Sequence, residues 1–322
     1  MKILVLNRGS SSLKTAFFEN LTSPSDENFD PFTKIFQSVD VIGHRIVHGG
    51  KNFHKSVRIT PVIKKELASL SKLAPLHNKQ EVSDIEKCEK LYPNIPQIAV
   101  FDTAFHHTLP EKAYIYPLPY KYYEEGIRKF GFHGLSFSYC AKKAAELLGS
   151  MPAKMVICHL GAGSSLCAVK DGKSIDTTMG FTPLDGVMMD TRSGTIDPGI
   201  LLHLLEHSTP EELSKTLYHK SGILGLSGTA SNMQELLKEN SKRSRLVFDI
   251  YIHRLNALIG SMIASLGGID TIVFTGGIGE NCSSITELVQ KNFSFINNLK
   301  VLTFPTGEAL EIAHECYHTS KQ

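Results

Sequence analysis

Three apolar runs in this chain end alike. Residues 3–6 (Ile-Leu-Val-Leu), 155–158 (Met-Val-Ile-Cys) and 271–274 (Thr-Ile-Val-Phe) are short and unbroken, as strands covered on both faces are, and each leads through a polar residue into a turn rich in glycine or serine. The first continues through Asn7-Arg8-Gly9-Ser10-Ser11-Ser12 into a second strand at 13–18. The second continues through His159-Leu160-Gly161-Ala162-Gly163-Ser164-Ser165 into strands at 166–169 and 173–176, joined by an Asp171-Gly172 turn. The third meets Thr275-Gly276-Gly277-Ile278-Gly279-Glu280-Asn281, a glycine turn opening a helix. Apolar residues three and four apart predict helices over 64–73, 136–148 and 211–218, while the Ser, Asn, Asp and Pro of 21–31 predict a surface loop. Strands alternating with helices, and one strand–turn–strand design used twice, predict an α/β chain made of two related halves.

Length agrees, since 322 residues leave room for two domains of about 150 each. An apolar fraction of 42% and a net charge of +2, from 34 basic and 32 acidic residues, describe an ordinary globular chain with no basic stripe for nucleic acid. The one tight basic group, Lys242-Arg243-Ser244-Arg245, reads as a solvated helix face. The most apolar later stretch, 257–274, is broken by Ser261, Ser265, Gly267, Gly268 and Asp270, so it reads as a buried helix and strand rather than a membrane span. Six cysteines at irregular spacings, without a C-x-x-C pair, form neither a zinc knuckle nor a disulfide framework. With an opening apolar run too brief for a signal peptide, a cytoplasmic location is expected.

Glycine and serine turns at strand ends admit an anion close to backbone N–H groups, phosphate above all. Phosphoryl transfer then asks for cations and donors around the group in flight. Arg45 lies in Val41-Ile42-Gly43-His44-Arg45-Ile46-Val47-His48-Gly49-Gly50, where a guanidinium among apolar neighbours needs an anionic ligand or a core carboxylate. Asp102 ends the apolar run 98–101, where α/β proteins gather functional groups, or else caps the next element. His133, in Gly131-Phe132-His133-Gly134, is either an approachable imidazole or a core histidine, and Arg192, in a loop before a helix, is either a phosphate clamp or a surface charge. His203-Leu204-Leu205-Glu206-His207 matches an H-x-x-E-H zinc pattern, but with no third ligand downstream a polar helix face is the better account, and His106-His107 reads as structural.

Taken together, these motifs resemble the acetate kinase family of the actin-like superfamily. Asn7 to Lys14, His44 to Gly50, Leu73-Ala74-Pro75-Leu76-His77-Asn78, Phe101-Asp102-Thr103-Ala104-Phe105-His106, Gly131 to Gly134, Met179-Gly180-Phe181-Thr182-Pro183-Leu184, Thr191-Arg192-Ser193-Gly194 and Gly277 to Asn281 follow in the family's order over nearly the whole chain. The resemblance implies a two-domain actin-like (ribonuclease H-like) fold with duplicated βββαβα-type halves, one domain from residues 1–102 with 309–322 and the other from 103–308. It also implies reversible transfer of the ATP γ-phosphoryl group to acetate or propionate with Mg²⁺, or Mn²⁺ in its place, and a homodimer. By likeness Arg45, Asp102, His133 and Arg192 are the catalytic set, with Arg45, Val47, Leu76, Phe132 and Pro183 around the acceptor. Asn7 and Glu308 would position the metal. Lys14, His159, Leu160, Gly161, Ala162, Gly163, Asn232, Met233, Gln234, Gly277, Ile278, Gly279, Glu280 and Asn281 would hold the nucleotide.

The chain departs from the family on the nucleotide side. Ala162 replaces the asparagine of H-L-G-N-G, and Ala230-Ser231-Asn232-Met233-Gln234 stands where S-S-D-x-R is usual. Phe137 replaces a histidine, Asp190 a glycine, Thr195 an aspartate and Lys79 a proline. These changes leave two alternatives to an ordinary enzyme: another donor, such as a different nucleoside triphosphate or pyrophosphate, or a weakened regulatory binding protein.

Overall fold

The computed structural model describes residues 1–9, 12–70 and 78–321. It divides into two compact units: Met1–His107 with Phe132–Tyr139 and Gly307–Gln322, and Thr108–Gly131 with Cys140–Thr306. The short piece Phe132–Tyr139, from mid-chain, packs with the first unit.

In the first unit six strands, β1 (Ile3–Arg8), β2 (Leu13–Phe18), β3 (Asp26–Glu27), β4 (Val41–Ile46), β5 (Val57–Arg58) and β6 (Gln97–Phe101), lie in the order β3-β2-β1-β4-β6-β5. β1 and β2 are antiparallel, while β1, β4 and β6 run parallel. The unbroken run 3–6 is explained by burial on both faces. Ile3 and Val5 join Ile98, Ile312 and Cys316 on one side, and Leu4 and Leu6 join Phe17, Cys88 and Tyr92 on the other. The helix Glu308–Thr319 covers the first of these faces so closely that a Cβ on Gly43 would stand 2.4 Å from Cys316 Sγ. The helix Pro61–Ser69, capped by Thr60, begins three residues before the predicted one. The loop read over 21–31 contains the short strand β3, which pairs with β2 through Ala16 and Phe17.

The second unit repeats the plan. Strands β7 (Lys154–His159), β8 (Ser165–Lys170), β9 (Lys173–Thr177), β10 (Thr271–Thr275) and β11 (Lys300–Thr303) lie in the order β11-β10-β7-β8-β9. The three antiparallel strands and two parallel partners match β3-β2-β1-β4-β6 one for one. Asp171 and Gly172, with φ of 49° and 76°, make the left-handed hairpin turn that the Asp-Gly pair predicts. The 25-residue helix Lys242–Leu266 is long and apolar enough to cross a bilayer, yet Val247, Tyr251, Leu255, Ile259, Met262 and Leu266 form a buried stripe within the core of this unit. It ends on Gly267 in the left-handed conformation. The helices read over 136–148 and 211–218 are Gly134–Leu148 and Pro210–His219. Helix Pro198–Leu205 stops before His207, and His203 and Glu206 are largely exposed, as a polar surface is.

Candidate active site

Because β1, β4 and β6 run parallel, their carboxyl ends lie side by side, the edge at which open α/β sheets collect functional groups. Each strand delivers a polar residue there. Arg45 Nη2 donates to Asp102 Oδ2 at 2.9 Å, and Nη1 donates to Asn7 Oδ1 and to the Arg8 carbonyl, both at 3.3 Å. Asn7 Nδ2 donates to Glu308 Oε2 at 2.8 Å, and the backbone N–H of His133 donates to Asp102 Oδ2 at 2.8 Å. Glu308, Asn7, Arg45, Asp102 and His133 thus form one connected network. Arg45 does have a core carboxylate, and it keeps capacity for more, since Arg45 Nε and Asp102 Oδ1 are buried without a hydrogen-bond partner among the described residues. Burial opposes the Arg45 charge, but Asp102 first, then Glu308 and Glu81, outweigh it and push the guanidinium pKa up.

The His133 turn is built by its glycines. His133 adopts φ 58°, and a Cβ on Gly134 would lie 2.2 Å from the Asp102 carbonyl, so only glycine lets the turn close on the β6 end. His106, buried, reaches the Phe132 carbonyl with Nε2 at 3.1 Å, which is the structural role expected of it. Val47 and Phe132 are both buried, and the His48 ring meets Phe132 edge-on at 5.6 Å. Leu76 lies outside the described residues. Lys14 is exposed on β2 opposite Asn7.

Sequence reasoning missed the helix Asn78–Leu91. Beside Ile85 and Cys88, its buried residues include polar ones where one expects apolar side chains: Asn78 Nδ2 donates to the His48 carbonyl at 3.3 Å, Glu81 Oε1 accepts from Val47 N at 3.1 Å, and Asp84 pairs with Arg8. Burial pushes the Glu81 carboxyl up to about 8, against the Val47 hydrogen bond and the Arg45 charge. His44 and His48 are lowered by burial to about 4, so both are neutral at pH 7.

The remaining candidates belong to the second unit. Arg192 donates through Nη1 to the Pro183 carbonyl at 3.2 Å and approaches Met189 Sδ at 3.8 Å, with no carboxylate in ion-pair range among the described residues. Desolvation lowers its pKa, the condition of a cation that an incoming anion would relieve. A cavity of about 280 Å³ is lined by Gly161, Ala162, Asn232, Met233, Gln234, Gly277, Ile278 and Asn281, all expected there, and also by Asp190, Leu237 and Cys282. Gly276, at φ 79°, passes so close to Leu160 that a Cβ would stand 2.6 Å from its carbonyl, while Gly277 faces open space. Besides Lys14, five expected nucleotide residues do not line this cavity. Leu160 is buried and its carbonyl anchors Ile278 N and Gly279 N, the latter also buried. Glu280 ties Gly276 N to Thr306 N, and His159 is buried at the end of β7. Gly163 is likewise absent from the lining.

Two sheets of one strand order, each with polar groups or glycine turns at its carboxyl edge, define an actin-like fold of the phosphotransferase class. The Acetokinase family model matches residues 27–304. An acetate kinase of Microcystis aeruginosa is 46% identical over 311 residues, covering 88% of this chain and 78% of that protein. The crystal structure of Porphyromonas gingivalis acetate kinase superposes with a TM-score of 0.91 at 32% identity, covering 99% of this chain and 100% of that one. A propionate kinase from Francisella tularensis superposes at 0.90 with 33% identity, over 98% and 99% of the two chains. The chain belongs to the acetokinase family.

Proposed function

We propose that the chain catalyses reversible phosphoryl transfer from ATP to acetate or propionate, giving an acyl phosphate and ADP. The observation that carries this reading is the Arg45–Asp102–His133 network with its two unsatisfied atoms, Arg45 Nε and Asp102 Oδ1. A guanidinium with an unused N–H is suited to a carboxylate, and Val47 and Phe132 offer apolar surface for a short acyl chain. A carboxylate oxygen of the acceptor attacks the γ-phosphorus, the bond to the β–γ bridging oxygen breaks, and ADP leaves with that electron pair. The acceptor is already an anion at neutral pH, so no general base is needed. Asp102 acts by fixing the Arg45 fork and the His133 backbone, while His133 in the first unit and Arg192 in the second are each suited to stabilise charge on a phosphoryl group. The weakened regulatory protein is not favoured, because this set is intact.

The Glu308 carboxylate fits Mg²⁺ as a single oxygen-donor group to an ion that keeps waters and binds substrate phosphates, with Asn7, whose Nδ2 holds Glu308 at 2.8 Å and whose Oδ1 accepts from Arg45, orienting it. When bound, such an ion neutralises phosphate charge. A homodimer is the assembly we favour, supported by exposed Ile200, Leu202, Leu204, Leu205 and Leu226 beside an apolar groove of about 440 Å³ in the second unit. Six cysteines without disulfides fit a cytoplasmic location.

Purified protein given acetate, Mg²⁺ and ATP, with hydroxylamine to trap acyl phosphate, should form the hydroxamate, and EDTA should abolish it. No product with ATP, any other nucleoside triphosphate or pyrophosphate would refute the reading. Light scattering at micromolar protein should give twice the chain mass.

A further inference from the structure

The cavity at the carboxyl edge of the second sheet has one charged lining residue among those described, Asp190. Its Oδ1 is buried with no hydrogen-bond partner among the described residues, and the nearby Met233 N–H favours the charged form of the carboxylate. Asp190 thus stands beside the first residue of helix Met233–Lys238 with one anionic oxygen unsatisfied. A buried acceptor of this kind is costly unless a ligand supplies the donor. Two other polar side chains of the cavity, Asn232 and Asn281, are already engaged. Asn232 Oδ1 caps the helix by accepting from Glu235 N at 3.0 Å and its Nδ2 reaches Ser231 Oγ at 3.2 Å, while Asn281 Nδ2 donates to the Gly277 carbonyl at 2.9 Å. Burial, with Glu235 adding to it, brings the Asp190 carboxyl up to about 6, so it remains largely ionised at pH 7.

A carboxylate takes donors and repels phosphates. Of the parts of a nucleoside triphosphate, only the nucleoside half carries donors, on the sugar hydroxyls and the amino group of the base. We propose that Asp190 is a specificity-determining residue of the nucleotide site, accepting a hydrogen bond from a nucleoside hydroxyl or amino group and so favouring nucleotides over pyrophosphate as phosphoryl donors. The inference rests on the function proposed above and deepens its nucleotide side. Asp190 occupies a position that sequence comparison marks only as a departure, and the geometry turns that departure into a contact.

The test uses the full chain and two variants, Asp190→Asn, which keeps the shape, and Asp190→Gly, which removes the side chain. ADP affinity is measured by calorimetry, and KM for ATP, 2′-deoxy-ATP, 3′-deoxy-ATP, purine riboside triphosphate and pyrophosphate is measured with hydroxylamine trapping. Both variants should weaken ADP and ATP about tenfold or more while leaving acetate KM and any pyrophosphate activity unchanged. One analogue should bind wild type about tenfold worse than ATP, and that discrimination should vanish in the variants, which names the donor group. Unchanged or tighter nucleotide binding in both variants would overturn the proposal, as would a loss shared equally by pyrophosphate. If wild type binds ADP but turns over no donor, the functional reading fails, while calorimetry of the variants still decides the role of Asp190.

Discussion

Replacing Glu81 by glutamine should stabilise the protein at alkaline pH and barely affect it in acid. Glu81 is 2% exposed, and burial raises its carboxyl from 4.5 to about 8. The folded state therefore keeps a proton that the unfolded chain releases above pH 4.5, so stability is lost as pH climbs from 4.5 to about 8. At about 1.4 kcal/mol per pH unit, that interval sets a ceiling on the order of 5 kcal/mol. Relaxation and water reaching the charged carboxylate trim that ceiling, and a gain of about 2–3 kcal/mol is expected. Glutamine keeps the acceptor for Val47 N and, like the protonated acid, leaves one group unpartnered, so the two should match near pH 4.5. For a domain-sized unit the gain corresponds to a Tm rise of about 5–10 °C. Thermal unfolding followed by circular dichroism from pH 5 to 9 reads it directly. Parallel Tm-against-pH curves for wild type and E81Q would refute the reasoning, because they would mean that Glu81 titrates as it does in the unfolded chain.

Arg45→Ala should raise acetate KM at least tenfold and, by stranding the buried Asp102 carboxylate, destabilise by about 3–5 kcal/mol; Arg45→Lys, lacking the fork, should recover little affinity. Steady-state kinetics with urea unfolding checks both effects. Arg192→Ala should act on turnover, lowering kcat by about 10²–10³ with acetate KM within a fewfold of wild type, since its charge counts most in the transition state. Gly134→Ala should cost most of the activity through displacement of the His133 turn, because its Cβ would lie 2.2 Å from the Asp102 carbonyl; kinetics beside near-UV circular dichroism distinguishes this from global unfolding.

The β1–β2 and β7–β8–β9 hairpins were legible because continuous burial writes an unbroken apolar run and a tight turn writes glycine, asparagine or serine beside it. β3 was not legible, since two polar residues pairing at a sheet edge leave no periodic signal. Arg45, Asp102 and His133 could be picked out because each breaks an apolar or glycine context, but their mutual bonds could not, being contacts between segments far apart in sequence. Glu81 stayed hidden for a different reason. Asn78, Glu81 and Asp84 recur every three residues, and a polar stripe on a helix reads as solvated unless something reveals that it faces backbone rather than water.

The bond between Asn7 and Glu308 joins residues 301 positions apart. During synthesis β1, β4 and β6 are made long before the helix Glu308–Thr319 exists to cover Ile3, Val5 and Ile98. Until then the first sheet has one bare apolar face, and Asn7 lacks its carboxylate partner. The same late helix that seals the core also completes the polar network, so phosphoryl chemistry is withheld until folding has gone to completion.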